Sequence, residues 1–148
     1  MTPEGDHVGT KPHHPAPPEA LADLHHLSLT VSDLGRSMPW YRDVLGLRVV
    51  GEDDHVGGQT VLLVTATDVV LLLQEHKAHE GTSFSEFRPG LDHVSFRVGS
   101  LEELETWADH LDAVGVAHPP LREESYGSVL TFRDPDRILF ELFADPGT

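Results

Sequence analysis

Apolar and polar residues alternate near residue 27: Leu27, Leu29 and Val31 stand against His26, Ser28 and Thr30. That two-residue period is the mark of a half-buried strand. Val94, Phe96 and Val98 alternate with His93, Ser95 and Arg97 in the same way. After the second of these strands the period lengthens. Leu101, Leu104, Trp107, Leu111 and Val114 fall on one helical face, which Ser100 and Glu103 open as a capping box and Gly115 closes. The helix after the first strand is less regular. Pro39 is expected in its first turn, with Ser37 as N-cap and Gly46 as the stop. Further strands are predicted over residues 59–65 after the Gly57-Gly58 turn, and over 69–75 beyond a break at Asp68. Tyr126-Gly127 leads into a strand over 128–132, and the turn Asp134-Pro135-Asp136 precedes one over 138–143.

The pattern occurs twice. Leu24-His25-His26-Leu27-Ser28-Leu29-Thr30-Val31 matches Leu91-Asp92-His93-Val94-Ser95-Phe96-Arg97-Val98 at an offset of 67 residues. Asp43-Val44-Leu45-Gly46-Leu47 matches Asp112-Ala113-Val114-Gly115-Val116 at an offset of 69. Two matches in the same order point to duplication. Each half reads as one strand, one helix and three strands.

Composition sets the limits of this frame. The first 20 residues hold five of the 11 prolines and few large apolar side chains, so they are expected to form a disordered arm. His13 and His14 lie in it and are read as solvated. The arm lacks the apolar run of a signal peptide, and no stretch approaches a membrane span. Residues 21–145 are expected to make a single domain, with module one over 21–80 and module two over 90–145. The chain has no cysteine, which excludes disulfides and thiolate chemistry and is compatible with the cytoplasmic location expected of it. A formal charge of -15 argues against nucleic acid and anionic membrane as partners.

Three residues carry the candidate chemistry. His26 and His93 open equivalent strands on their more polar faces, so a pseudo-twofold axis could bring them face to face. Glu141 interrupts the apolar run Ile138-Leu139-Phe140-Glu141-Leu142-Phe143, where a carboxylate is costly unless paired or bound to a cation. Two imidazoles and one carboxylate form a three-ligand set with open positions, suited to Fe, Mn, Ni, Co or Zn as divalent ions. Such a metal polarises a substrate oxygen or activates water.

These segments resemble the vicinal oxygen chelate superfamily, which includes glyoxalase I, extradiol dioxygenases, fosfomycin-resistance transferases and bleomycin-resistance proteins. The resemblance rests on LHHLSLTVSDLGRSMPWYRDVLGL (24–47), GLDHVSFRV (90–98) and DPDRILFEL (134–142). It implies an α+β fold in which two tandem βαβββ modules form an open, cup-shaped mixed sheet around a metal. The ligands it implies are His26 rather than His25, whose strand parity is wrong, then His93 and Glu141. Arg137 departs from the glycine or asparagine that often follows DPD in the family. Glyoxalase I enzymes commonly add a fourth ligand from the last strand of module one. That position aligns here with Leu72, and Gln74 reaches it only with a register shift. Three ligands look more like the dioxygenases and fosfomycin transferases, although the basic residues those transferases carry near the C-terminus are not found in Ala144-Asp145-Pro146-Gly147-Thr148.

The resemblance therefore implies a divalent-metal enzyme acting on a small substrate that chelates through adjacent oxygens, either a glyoxalase-like lyase or isomerase or an extradiol-type dioxygenase (an oxidoreductase). Tyr126 is a candidate for donating a hydrogen bond to a bound oxyanion. Ser28, Trp40, Gln74 and Arg97 are candidates for contacting substrate, Arg97 alternatively pairing with an acidic side chain. The alternative function is a bleomycin-resistance-like protein sequestering a cationic antibiotic, which the acidic charge and Trp40 would suit. By analogy the expected assembly is a homodimer. Whether one metal is held within a chain or across two is left open by the sequence.

Overall fold

The computed structural model describes residues 14–148. The arm expected over 1–20 falls mostly outside them, as does His13, while residues 14–20, His14 included, are exposed and form neither helix nor strand. The first module runs β1 (Leu27–Thr30), α1 (Leu34–Asp43), β2 (Arg48–His55), β3 (Gly58–Val64) and β4 (Val70–His76). The second repeats the order as β5 (Val94–Arg97), α2 (Leu101–Ala113), β6 (Arg122–Glu124), β7 (Gly127–Arg133) and β8 (Leu139–Ala144). The fold is α+β with paired βαβββ modules. Each module has its own four-stranded mixed sheet, ordered β1-β4-β3-β2 and β5-β8-β7-β6. Within the chain the two sheets stay separate, so β1 and β5 are edge strands. No helix among the described residues is long and apolar enough to cross a membrane.

Strand parity sorts the side chains. One face of each sheet is apolar: Leu29, Leu63, Leu71 and Leu73 in module one, Leu130, Phe132, Phe140 and Leu142 in module two. All eight join a single core with Leu34 and Tyr41 of α1 and Leu104 and Leu111 of α2. Trp40 and Tyr41 pack their rings on Phe140, and Trp40 also reaches Phe132. Helix α1 thus packs on both sheets. Polar bonds tie the modules as well. The Tyr41 hydroxyl donates to Asp134 at 2.7 Å, Ser32 donates from both its N–H and its hydroxyl to Asp136, and Arg36 pairs with Asp136 at 3.1 Å. Burial pushes the Asp134 carboxyl up, and burial beside Asp134 pushes the Tyr41 hydroxyl far up.

Two local expectations need correction. Helix α1 begins at Leu34 with Asp33 as its N-cap residue, so Ser37 is not a cap and Pro39 lies inside the helix. Core packing of Leu34 and Tyr41, seven residues apart on one face, extends the helix past the proline. Ser37 is left fully buried with its hydroxyl unpartnered among the described residues. The N-cap of α2 forms as expected, with Ser100 Oγ accepting from Glu103 N at 3.1 Å, while the Glu103 carboxylate reaches one residue further back and accepts from Gly99 N at 2.7 Å.

Candidate metal centre

The polar faces of the sheets carry the candidate residues. In module one, Ser28 is registered with Leu72 and Thr30 with Gln74 across parallel β1 and β4. In module two, Ser95 is registered with Glu141 and Arg97 with Phe143 across parallel β5 and β8. The registers superpose the halves. Leu72 occupies in module one the position that Glu141 occupies in module two, and Gln74 lies one pleat further on. Gln74 accepts a hydrogen bond from Thr60 at 2.5 Å, which holds it on the same face.

His93 lies just before β5 and Glu141 lies in the neighbouring strand β8, and each has a partner that fixes it. The His93 Nδ1 stands 2.6 Å from Asp92 Oδ1. An ionised carboxylate only accepts, so Nδ1 is the donor, and in the neutral ring the lone pair is then on Nε2. Ser95 Oγ donates to Glu141 Oε1 at 2.9 Å and leaves Oε2 free. His26 lies just before β1 in module one, exposed, with its Nδ1 2.8 Å from Nδ1 of His25. Sequence reasoning missed Asp92 and Ser95. Their signal was the repeat itself, which sets Ser95 opposite Ser28 and Asp92 opposite His25.

Within one chain the three candidate ligands do not come together. Among the described residues, no group of three or more histidine, aspartate or glutamate side chains is arranged to hold a metal ion. Inside the chain the apolar faces of both modules are committed to one core, and the two sheets do not join.

The remaining candidates are dispersed. Arg97 pairs with Asp145 at 2.8 Å. Tyr126 is 60% exposed and lies flat against Phe143, one pleat beyond Glu141. Gly127 permits this, since a Cβ there would collide with the Phe143 ring. Trp40 is the exception. It is half-buried and packs its ring on Phe132 and Phe140, with one edge at a groove of about 620 Å³ beside His118 and Arg137. A second groove of about 730 Å³ runs along Ser28 and Thr30 beneath the segment joining the modules.

Comparison with known proteins bears on this arrangement. Over 128 residues the chain is 29% identical to a manganese-dependent 2,3-dihydroxybiphenyl 1,2-dioxygenase of Geobacillus genomosp. 3, covering 84% of this chain but only 37% of that one. It is 30% identical over 122 residues to the glutathione transferase FosA of Serratia marcescens, covering 82% and 80% of the two chains. The crystal structure of a glyoxylase/bleomycin resistance protein/dioxygenase domain from Frankia sp. EAN1pec superposes with a TM-score of 0.80 at 33% identity, over 85% of this chain and 99% of that one. The family model described as the Glyoxalase/Bleomycin resistance protein/Dioxygenase superfamily matches residues 23–142, and the chain belongs to that superfamily.

Proposed function

We propose that this protein is a divalent-metal-dependent enzyme of the glyoxalase/dioxygenase type, acting on a small substrate that presents two adjacent oxygens. Its site is assembled between two copies of the chain, with His26 from one copy and His93 and Glu141 from the other. The observation that carries the reading is the prepared pair in module two. Asp92 leaves Nε2 of His93 available, and Ser95 leaves one oxygen of Glu141 available. These donors fit a borderline divalent ion of the Mn, Fe, Co, Ni or Zn group. The manganese dependence named for the Geobacillus relative supports a metal of this kind.

Bound there, a divalent ion supplies a Lewis acid for oxygen ligands. The chain's own residues shape what can approach it. Leu72, half-buried where a fourth ligand would stand, offers neither a ligand nor a base, which favours substrate chelation over carboxylate-assisted isomerisation. Phe143 and Tyr126 form an apolar wall next to Glu141. The unpaired edges of β1 and β5 are where a second copy would complete the cup.

Metal analysis of untagged protein tests the reading. We expect one ion of the Mn, Fe, Co, Ni and Zn group per chain, lost in His93→Ala and in Glu141→Ala, with turnover of a catechol or hydroxyketone by the loaded protein. If no metal co-purifies and none of these ions binds at micromolar concentration, the reading fails and a ligand-sequestering protein takes its place.

A further inference from the structure

The residue before each candidate histidine is used in the same way in both halves. His25 and Asp92 are repeat equivalents at the offset of 67 that relates His26 to His93. Each places a polar atom against the Nδ1 atom of the following ring, His25 Nδ1 at 2.8 Å and Asp92 Oδ1 at 2.6 Å. All four residues lie just before their strands, which begin at Leu27 and Val94. The pairs differ in one respect. Asp92 can only accept, so His93 is set with its proton on Nδ1. The His25–His26 contact holds a single proton between two nitrogens, and His26 reaches the same state only when it is the donor.

We infer that His25 and Asp92 are positioning residues, matched outer partners that hold the rings of His26 and His93 with Nε2 unprotonated and turned to the cation. The inference rests on the metal-site reading and adds an asymmetry to it. His93, held by a carboxylate that can only accept, is the ligand fixed in advance. His26, held by another imidazole, takes its ligating tautomer only when it is the donor of that contact. Module two is then the half that captures the ion, and module one the half that closes on it.

Two readouts on the full chain test this. Long-range proton–nitrogen NMR of metal-free protein labelled with ¹⁵N-histidine reports the tautomer of each ring, and Mn(II) titration followed by electron paramagnetic resonance reports affinity. In the unaltered protein His93 is expected as the Nδ1–H form. Asp92→Ala should move it to the Nε2–H form and weaken Mn(II) binding by roughly 10- to 100-fold. Asp92→Asn, which keeps an acceptor without the charge, should keep the tautomer and restore part of the affinity. His25→Asp should fix His26 in the Nδ1–H form and tighten Mn(II) binding. The inference is overturned if Asp92→Ala leaves the His93 tautomer unchanged, if Asp92→Asn keeps the tautomer but binds as weakly as Asp92→Ala, or if His25→Asp binds more weakly than the parent. Absence of Mn(II) binding to the unaltered protein would instead remove the metal reading, and the tautomer arm would still decide whether the two partners set the rings.

Discussion

Arg137 adopts φ 71, in the left-handed region that costs a residue with a Cβ about 1–2 kcal/mol relative to glycine. It is held there by the turn. Asp134 N donates to Ile138 O at 3.0 Å and Arg137 N to Asp134 O at 3.0 Å, while Asp134 Oδ1 accepts from Asp136 N and Ile138 N. The side chain is exposed, so Arg137→Gly should remove the strain at no packing cost. Glycine also gives the unfolded chain more freedom, which offsets part of the gain, so the expected net stabilisation is about 0.5–1 kcal/mol, read from urea unfolding. The same turn recurs 69 residues earlier. Thr65 N donates to Val69 O, Asp68 N to Thr65 O, Thr65 Oγ1 accepts from Thr67 N and Val69 N, and Asp68 has φ 61. Thr65-Ala66-Thr67-Asp68-Val69 and Asp134-Pro135-Asp136-Arg137-Ile138 share no identity, so this third match between the two halves was invisible as sequence. A threonine hydroxyl and an aspartate carboxylate do the same work in such turns, and only the hydrogen bonds reveal it. The copies around His26 and His93 were legible because their residue types coincide.

Elements with a clean apolar period and an unambiguous cap were legible; those decided by tertiary packing were not. Helix α2 follows its N-cap and its apolar stripe. Helix α1 carries Pro39 six residues in, which read as a helix start. Yet the N–H that proline lacks would have bonded the carbonyl of Gly35, an exposed residue, where water substitutes cheaply. Strand β6 is shorter than its eight-residue counterpart β2, at three residues, because Pro119 and Pro120 precede it and cannot donate to a ladder. The segment between the modules is fastened by Glu86, whose carboxylate accepts from Arg133 at 2.6 and 3.1 Å. The Arg133 guanidinium holds the Glu86 carboxyl at about 2, below its ordinary 4.5. A folded-state value below the unfolded one stabilises fully above the unfolded value and is lost as pH falls through the folded one. The stability margin of the parent over Glu86→Gln should therefore be full at neutral pH, shrink from about pH 4.5 downward and vanish near pH 2. Urea midpoints measured across that range check it, and a margin independent of pH would show that the clip does not hold the segment.

At the scale of the whole molecule, strand parity tells which face a residue takes but not which sheet that face will meet. The candidate ligands could thus be proposed from the sequence, while how the modules set them relative to one another could not. Inside one chain both apolar faces are used up in a shared core with α1 between them, and the polar faces of the two modules bring no third ligand to His93 and Glu141. A site shared by two copies makes a prediction that a site within one chain does not. His26→Ala has an intact module-two pair but no first histidine to lend. Glu141→Gln lends His26 but has a broken pair. Each variant alone should bind no metal at the site. When the two are unfolded together and refolded as a mixture, half of a twofold dimer population is mixed, and each mixed dimer holds one site with His26 from the Glu141→Gln chain and the intact pair from the His26→Ala chain. Its other site lacks both, so metal capacity and activity should return to about a quarter of the parent's. A site within one chain would recover nothing, because every copy in the mixture remains broken. Mixing two lots of the same variant serves as the control, and recovery there would mean that metal binds elsewhere on the chain.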